Sequence, residues 1–343
     1  MGGEAMREEK LSVRQLSVTA FTGALSPAVA AAGYGWQGAL LAVPVLLLAG
    51  WITVSLAPRW AALETERTGK ALAVLYALWG AALLSRGLAR CAGRILHTGG
   101  GSQSHFPWLV VLLALPLAWV AWGKPAAYFR GAELCYLAAL VTAGALCLWA
   151  LFRVQWDYAL EPAGDLWAGF GAALEAGGTF LFALPYCNRI KTAPGDRGRG
   201  MGWLLAAAVS TAALSFVTAG ALSPALAVQA EDPFFLMTAA LGRTARVEGL
   251  ASSLWLLPDL VYLGLLARSW QWSGTKQDLR PVAAVIVGAA MACTGVFDGL
   301  PQAVWTWGTA VLWAVTLAAL LFVQKNSVPA EGKDTSSCGS EET

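Results

Sequence analysis

The chain is dominated by a succession of long apolar segments, separated by short breaks rich in charge, glycine or proline. A helix needs about 20 apolar residues to cross the hydrocarbon core of a bilayer. Lipid admits only helices and closed barrels, because the backbone must satisfy its own hydrogen bonds there. The pattern therefore predicts an all-α, polytopic membrane protein with about ten transmembrane helices. The predicted spans are 12–32, 37–57, 70–90, 107–123, 132–152, 164–187, 203–223, 247–267, 282–300 and 302–323.

Composition supports a membrane protein and argues against nucleic acid as a partner. Hydrophobic residues make up 57% of the chain and charged residues 13%, about half the charged fraction of a soluble domain. The formal net charge is +2, and no run of like charge forms a nucleic-acid-binding arm. The amino-terminal sequence lacks a small-residue cleavage site, so we expect the first span to be retained.

The distribution of basic residues predicts the orientation. With the amino terminus inside, all but six of the 23 lysines and arginines lie on the cytoplasmic side, as the positive-inside rule requires. This predicts cytoplasmic termini, with a head at 1–11, a transmembrane domain at 12–324 and a disordered polar tail at 325–343. The six basic residues assigned to the outside are Arg86, Arg90, Arg94, Arg153, Arg243 and Arg246.

Two spans carry helix-breaking residues near their middle. The first contains Gly23 and Pro27, and the sixth contains Glu175 beside Gly177 and Gly178. Ten spans divide into two halves of five with opposite membrane orientation, which is the arrangement of a 5+5 inverted repeat. The first and sixth spans are then equivalent, and we expect both helices to be broken around a polar cavity. The alternative is that Pro27 only kinks its helix and the glycines allow close helix packing.

A cavity between broken helices would suit an amino-acid zwitterion. The amino end of a half-helix favours an anion, and the carboxyl end favours a cation. Three roles for Glu175 remain open at this point. It binds a substrate amine or a cation, it is protonated and couples transport to protons, or it only holds the broken backbone.

The remaining ionisable residues carry weaker signals. Asp259 follows Pro258 in the eighth span, where a helix-start role competes with a functional one. Asp298 is predicted to be a turn residue. His97 and His105 flank a glycine-rich stretch that either binds a metal weakly or forms a solvated loop.

No catalytic or cofactor motif is present in the sequence. The six cysteines contain no Cys-x-x-Cys pair, so neither a disulfide framework nor a thiolate metal site is indicated. There is no Walker loop, no HExxH and no converging Ser/His/Asp set. We therefore predict a protein that is not an enzyme and has no cofactor.

With these residues in view, the chain resembles the B-subunit family of bacterial spore germinant receptors. These are spore germination permeases of the amino acid–polyamine–organocation transporter superfamily. The likeness lies in "KLSVRQLSVTAFTGALSPAVAAAGYGWQGALLAVPVLLLAG" at residues 10–50 and in "FGAALEAGGTFLFALPY" at 170–186. It is fainter in "RVEGLASSLWLLPDLVYL" at 246–263.

The resemblance implies a ten-helix permease fold that binds a small nutrient germinant, typically an amino acid, between helices one, three, six and eight. It also implies assembly with A and C subunits in the spore inner membrane, where binding triggers germination. Two alternatives remain open: a proton- or sodium-coupled secondary amino-acid transporter, and a structural partner that has lost its ligand. By position, the pocket residues would be Thr22, Gly23, Ser26, Glu175, Gly177, Gly178 and Thr179.

Overall fold

The computed structural model describes residues 11–56, 59–161, 166–189, 197–242, 247–271 and 279–323. Residues 1–10 of the predicted head and the whole predicted tail lie outside the described residues. Arg243 and Arg246, two of the basic residues assigned to the outside, also lie outside them.

The described part of the chain is helical and contains no strand. Two short 3-10 helices, Gln103–His105 and Leu184–Arg189, accompany the α-helices. The α-helices are α1 (Val13–Ala30), α2 (Trp36–Leu56), α3 (Trp60–Thr65), α4 (Arg67–Gly99), α5 (Phe106–Trp122), α6 (Pro125–Leu151), α7 (Trp156–Leu160), α8 (Leu166–Ala183), α9 (Arg197–Leu222), α10 (Pro224–Gln229), α11 (Pro233–Leu241), α12 (Val247–Arg268), α13 (Arg280–Thr294) and α14 (Gln302–Phe322).

Each of the ten predicted spans coincides with a helix, five in each half of the chain. Within the described residues, eight helices are long and apolar enough to cross a membrane. α13 is apolar but has only 15 residues, and α1 carries too many polar side chains to qualify. The prediction of an all-α, multi-pass membrane protein is confirmed. The spans that coincide with helices are α1, α2, α4, α5, α6, α8, α9, α12, α13 and α14.

Helix α1 lies at the centre of the bundle, against α6, α8, α9 and α12. It begins at a capping box, in which the Gln15 backbone N–H donates to Ser12 Oγ at 3.1 Å and the Ser12 N–H donates to Gln15 Oε1 at 3.2 Å. Thr19 and Thr22 donate their hydroxyls to backbone carbonyls one turn earlier in the same helix. The polar side chains that lower its hydropathy are thus satisfied inside the protein.

The predicted breaks in the first and sixth spans are absent. α1 runs without interruption from Val13 to Ala30 with Pro27 inside it, and α8 runs without interruption from Leu166 to Ala183. Glycine in a helix costs about 1 kcal/mol, whereas each unsatisfied backbone group in lipid costs several kcal/mol. The continuous helix is therefore lower in free energy than a broken one at both places.

The third predicted span extends further than its apolar run. α4 has 33 residues and continues to Gly99, beyond the predicted end at residue 90. At 1.5 Å per residue it is about 50 Å long, which exceeds the hydrocarbon thickness of about 30 Å. It ends where Gly100 takes a left-handed conformation with φ of 67°, a common way for a helix to stop. The arginines that follow residue 85 therefore belong to this helix and not to a loop.

Helices α2 and α8 cross at backbone contact distance. A Cβ added to Gly38 would lie 2.0 Å from the Leu166 carbonyl oxygen, and one added to Gly169 would lie 2.0 Å from the Gly35 carbonyl oxygen. Small residues at such crossings let membrane helices gain dispersion contacts that larger residues prevent. This crossing fixes α8, which carries Glu175, against the neighbouring helix.

We predict that Gly169→Ala destabilises the protein, because the new methyl group would collide with backbone that cannot rotate away. Overpacking of this kind lowers the free energy of unfolding by about 1–3 kcal/mol. Gly144→Ala in α6 is the matched control, since no atom lies within 4 Å of its added Cβ. Thermal unfolding of the purified protein in detergent measures both. Equal melting temperatures for the two variants would contradict backbone contact at this crossing.

Candidate functional site

A stripe of three arginines lies on one face of α4. Arg86, Arg90 and Arg94 follow each other at intervals of four residues, a spacing that places side chains on the same side of a helix. The exposed fraction of the side chain is 14% for Arg86, 34% for Arg90 and 6% for Arg94. The stripe therefore points into the bundle, where uncompensated charge is costly.

The first arginine is neutralised by the glutamate of α8. Arg86 Nη1 donates to Glu175 Oε1 at 2.9 Å, and Gln302 Nε2 donates to Glu175 Oε2 at 2.7 Å. The Arg86 guanidinium also lies 4.5 Å from the centre of the Trp305 ring. Both carboxylate oxygens of Glu175 thus have partners, and the cluster joins α4 to α8 and α14.

The third arginine is neutralised by the aspartate of α12. Arg94 Nη2 donates to Asp259 Oδ2, and both side chains are buried. The Arg94 guanidinium also lies 4.6 Å from the centre of the Phe235 ring in α11. Asp259 sits in the middle of α12, which begins at Val247, so the helix-start role considered for it is wrong.

The middle arginine has no such partner. The nearest carboxylate oxygen to Arg90 is Glu175 Oε1, 3.9 Å from Arg90 Nη1, too far for a hydrogen bond. Glu175 already accepts bonds from Arg86 and Gln302. Among the described residues, Arg90 is the member of the stripe without a direct hydrogen bond.

These side chains surround one small cavity. It leaves about 20 Å³ for the centre of a water molecule, and one water needs about 10–15 Å³ by the same measure. In this conformation the cavity therefore holds about one water. Its lining residues are Ser26, Val29, Ala30, Leu83, Arg86, Gly87, Arg90, Cys91, Arg94, Glu175, Asp232, Asp259 and Tyr262.

Asp232 lines the cavity from its position just before α11. It occupies the N-cap position of that helix, but its side chain makes no capping hydrogen bond. Burial raises the pKa of the Asp232 carboxyl, and the charges of Arg94 and Arg90 oppose this effect. No carboxylate–guanidinium contact of ion-pair length is present at Asp232 within the described residues.

Of the seven predicted pocket residues, Ser26 and Glu175 line the cavity. Thr22 is buried and donates its hydroxyl to the Val18 carbonyl at 2.8 Å. Gly23 faces α8, where its added Cβ would lie 3.0 Å from Thr179 Cγ2. These two residues therefore serve the contact between helices, and the structure does not bring them to the cavity wall.

The sixth-span glycines are also packing residues here. A Cβ added to Gly177 would lie 2.5 Å from a methyl group of Leu46 in α2, and one added to Gly178 would lie 2.4 Å from the Thr309 methyl in α14. The Thr179 hydroxyl is buried without a hydrogen-bond partner and does not line the cavity. The alternative of close helix packing describes these glycines better than a broken helix does.

The arginine stripe was not predicted as part of the site, because the sequence pattern places Arg86, Arg90 and Arg94 at the outer end of a span. Their regular spacing within an apolar segment was the available signal. Intramembrane arginines face the bundle interior and mark functional pathways. Asp232 and Gln302 had no comparable signal, since Asp232 lies next to a proline just before α11 and Gln302 lies next to a proline at the start of α14.

The two histidines contact different polar neighbours. His97 Nε2 lies 3.2 Å from Glu231 Oε2, and His105 Nδ1 lies 2.8 Å from the Ser102 hydroxyl. Within the part of the chain that the structure describes, no group of three or more His, Cys, Asp or Glu side chains is placed to hold a metal ion. Asp298 lies in the turn that follows α13, where its N–H donates to the Gly295 carbonyl.

The fold is similar to that of a bacterial manganese transporter. The Eremococcus coleocola protein, solved in complex with an aromatic bis-isothiourea compound, matches with a TM-score of 0.57 and 13% identity, over 93% of this chain and 78% of that one. A mutant of the same transporter matches with a TM-score of 0.56 and 13% identity, over 94% and 78%. No family model matches the sequence, and no curated protein matches it. The likeness shows that this chain shares the fold of that protein.

We predict that Asp259→Asn destabilises the protein by about 3–5 kcal/mol, because it leaves the buried Arg94 guanidinium without its counter-charge. The double variant Arg94→Met/Asp259→Leu should recover most of this loss, since well-packed apolar residues often replace a buried ion pair without cost. Thermal unfolding in detergent measures both.

The control for this prediction is Glu133→Gln. Its partner Arg14 lies 3.8 Å away and is 77% exposed, and exposed pairs contribute about 0–1 kcal/mol. If Asp259→Asn were as mild as the control, the Arg94–Asp259 pair would not be the structural tie described above.

Proposed function

We propose that this protein is a secondary transporter that binds a small amino acid in the cavity between α1, α4, α8 and α12, coupled to protons or sodium. The observation that carries the proposal is the charged cavity itself, enclosed within a transporter fold. Ionisable side chains inside a membrane bundle mark substrate and ion pathways. Transporter sites lie near the middle of the membrane, between the structural repeats.

The cavity does not favour a divalent metal as the substrate, although the structural neighbour is a manganese transporter. Three guanidinium groups line it, and they would repel a dication. Hard cations such as Mn²⁺ prefer carboxylate, carbonyl and water ligands. Glu175 and Asp259 are already committed to arginine partners. An organic solute with its own charged groups is a better match.

The ion pairs supply a means of coupling binding to movement. Arg86–Glu175 joins α4 to α8, and Arg94–Asp259 joins α4 to α12. The present cavity admits about one water, so an amino acid requires these helices to separate. A pair that opens on one side and re-forms afterwards would alternate access to the site. The ion pair of Glu175 with Arg86 differs from each of the three roles that the sequence left open for this residue.

Uptake into proteoliposomes tests the proposal. We expect the purified protein to accumulate a radiolabelled amino acid when an inward proton or sodium gradient is imposed. Glu175→Gln should lower uptake by about tenfold or more, since it removes a charge-assisted hydrogen bond to Arg86 that positions the cavity wall. Glu133→Gln is the control at an exposed pair. Absence of uptake for every common amino acid under both gradients would refute the transporter function.

A second candidate is the B subunit of a spore germinant receptor, favoured by the residue resemblance at 10–50 and 170–186. In that case the bound amino acid is a germinant, and A and C subunits are the partners. The protein then lies in the spore inner membrane with both termini in the cytoplasm. A small cavity closed by ion pairs suits a sensor that changes conformation on binding as well as it suits a carrier.

Deletion of the gene in a spore-forming host separates the two candidates. The receptor predicts loss of germination toward one nutrient, with no gradient-driven uptake in proteoliposomes. The transporter predicts uptake and unchanged germination. A protein that binds no amino acid but is needed to assemble a receptor complex would be the structural partner that has lost its ligand.

A further inference from the structure

Of the six charged side chains that line the cavity, four belong to hydrogen-bonded ion pairs and two do not, among the described residues. The six comprise three guanidinium groups and three carboxyl groups. Arg86 pairs with Glu175, and Arg94 pairs with Asp259. One cation, Arg90, and one anion, Asp232, remain in the same wall without a direct partner in the described part of the chain. The formal charge of the cavity is balanced, but this last pair is not in contact.

Arg90 and Asp232 line the same cavity but form no ion pair within 4.0 Å in the described part of the chain. The charge of Arg90 acts to lower the pKa of the Asp232 carboxyl, against the effect of burial. Arg90 also lies 3.9 Å from the already occupied Glu175. A partly buried guanidinium and a partly buried carboxyl that are both under-coordinated gain from any ligand that supplies the missing charges.

We propose that Arg90 binds the carboxylate and Asp232 binds the ammonium group of a zwitterionic α-amino acid. This inference rests on the function proposed above and assigns the residues that recognise the substrate. An α-amino acid carries both charges on one carbon, so it bridges a cation and an anion that face the same cavity. Arginine suits the task because its planar guanidinium donates two parallel hydrogen bonds to a carboxylate.

The rest of the wall selects a small apolar side chain. The uncharged part of the lining consists of Ser26, Val29 and Ala30 from α1, of Leu83, Gly87 and Cys91 from α4, and of Tyr262 from α12. Arg86 and Arg94 are already paired with Glu175 and Asp259, so an additional charge on the ligand would lack a free partner. Alanine and valine are therefore the probes that match the site best.

The assignment replaces backbone recognition with side-chain recognition. The sequence analysis expected half-helix ends to hold the zwitterion, but α1 and α8 are continuous and offer no such ends. The two charges in the cavity wall that lack a hydrogen-bonded partner in the described residues come from α4 and from the residue before α11. A substrate amine therefore meets Asp232, because both oxygens of Glu175 are occupied.

Isothermal titration of the purified full-length protein in detergent tests the assignment with matched ligands. The amino acids are L-alanine and L-valine. Propionate and isovalerate are the same molecules without the amine, and ethylamine and isobutylamine are the same molecules without the carboxylate. We expect at least one of the two amino acids to bind. Its fragments should lose about tenfold or more in affinity, because each lacks one charge-assisted contact.

Variants test the two residues separately. Arg90→Gln and Asp232→Asn should each weaken amino-acid binding by about tenfold or more. Arg90→Lys keeps the positive charge but loses the planar guanidinium, so its affinity for the amino acid should lie between those of the wild type and Arg90→Gln. The controls are Arg153→Gln, at an exposed arginine, and Glu231→Gln, at the exposed neighbour of Asp232. Unliganded melting curves establish that each variant is folded.

The possible outcomes separate the assignment of Arg90 and Asp232 from the proposed transporter function on which it rests. If an amino acid binds or is taken up, but Arg90→Gln and Asp232→Asn leave its affinity unchanged, the residue assignment is wrong while the transporter function stands. Equal affinity for propionate and L-alanine would overturn recognition of the ammonium group. If no common amino acid is bound or transported by the wild-type protein, both proposals fail.

Discussion

The structure depends on the neutralisation of the α4 arginines inside the bundle. A charged side chain at the centre of a bilayer is costly, and it persists only when it faces the protein interior and finds a partner. Arg86 and Arg94 meet this condition through Glu175 and Asp259. Because these partners lie on α8 and α12, the pairs join α4, in the first half of the chain, to two helices of the second half. The cavity is the space that remains beside these pairs.

The continuity of the helices follows from the same requirement that polar groups inside the membrane have partners. In lipid, or in a bundle that excludes water, an intact helix satisfies its backbone at little cost. Gly23, Gly177 and Gly178 permit breaks, but they do not require them. Neighbouring side chains occupy the space that their missing Cβ atoms leave, and the helices approach closely as a result. The same glycines therefore bring α1, α2 and α14 against α8, the helix that carries Glu175.

In the proposed function, the ligand is recognised by charged side chains and not by exposed backbone. The structural neighbour is named a manganese transporter, but the shared fold does not specify what is bound. Here three guanidinium groups line the cavity, and two of them are matched by carboxylates from other helices. In the proposed function, a ligand contacts the charged side chains that do not belong to these internal ion pairs. A fold can thus serve different substrates when the internal pairing changes.

The sequence by itself located ten of the helices in the described part of the chain. The hydrocarbon thickness imposes a length and an apolar composition on each span, and every one of the ten predicted spans coincides with a helix. It also singled out Glu175 and Ser26, because polar groups in apolar segments are conspicuous. Only the tertiary structure decided which charges meet. Arg94 and Asp259 are 165 positions apart, and hydropathy along a chain carries no information on how far its helices lie from one another. Whether a glycine breaks a helix or admits a neighbour was decided in the same way, by the side chain that packs against it.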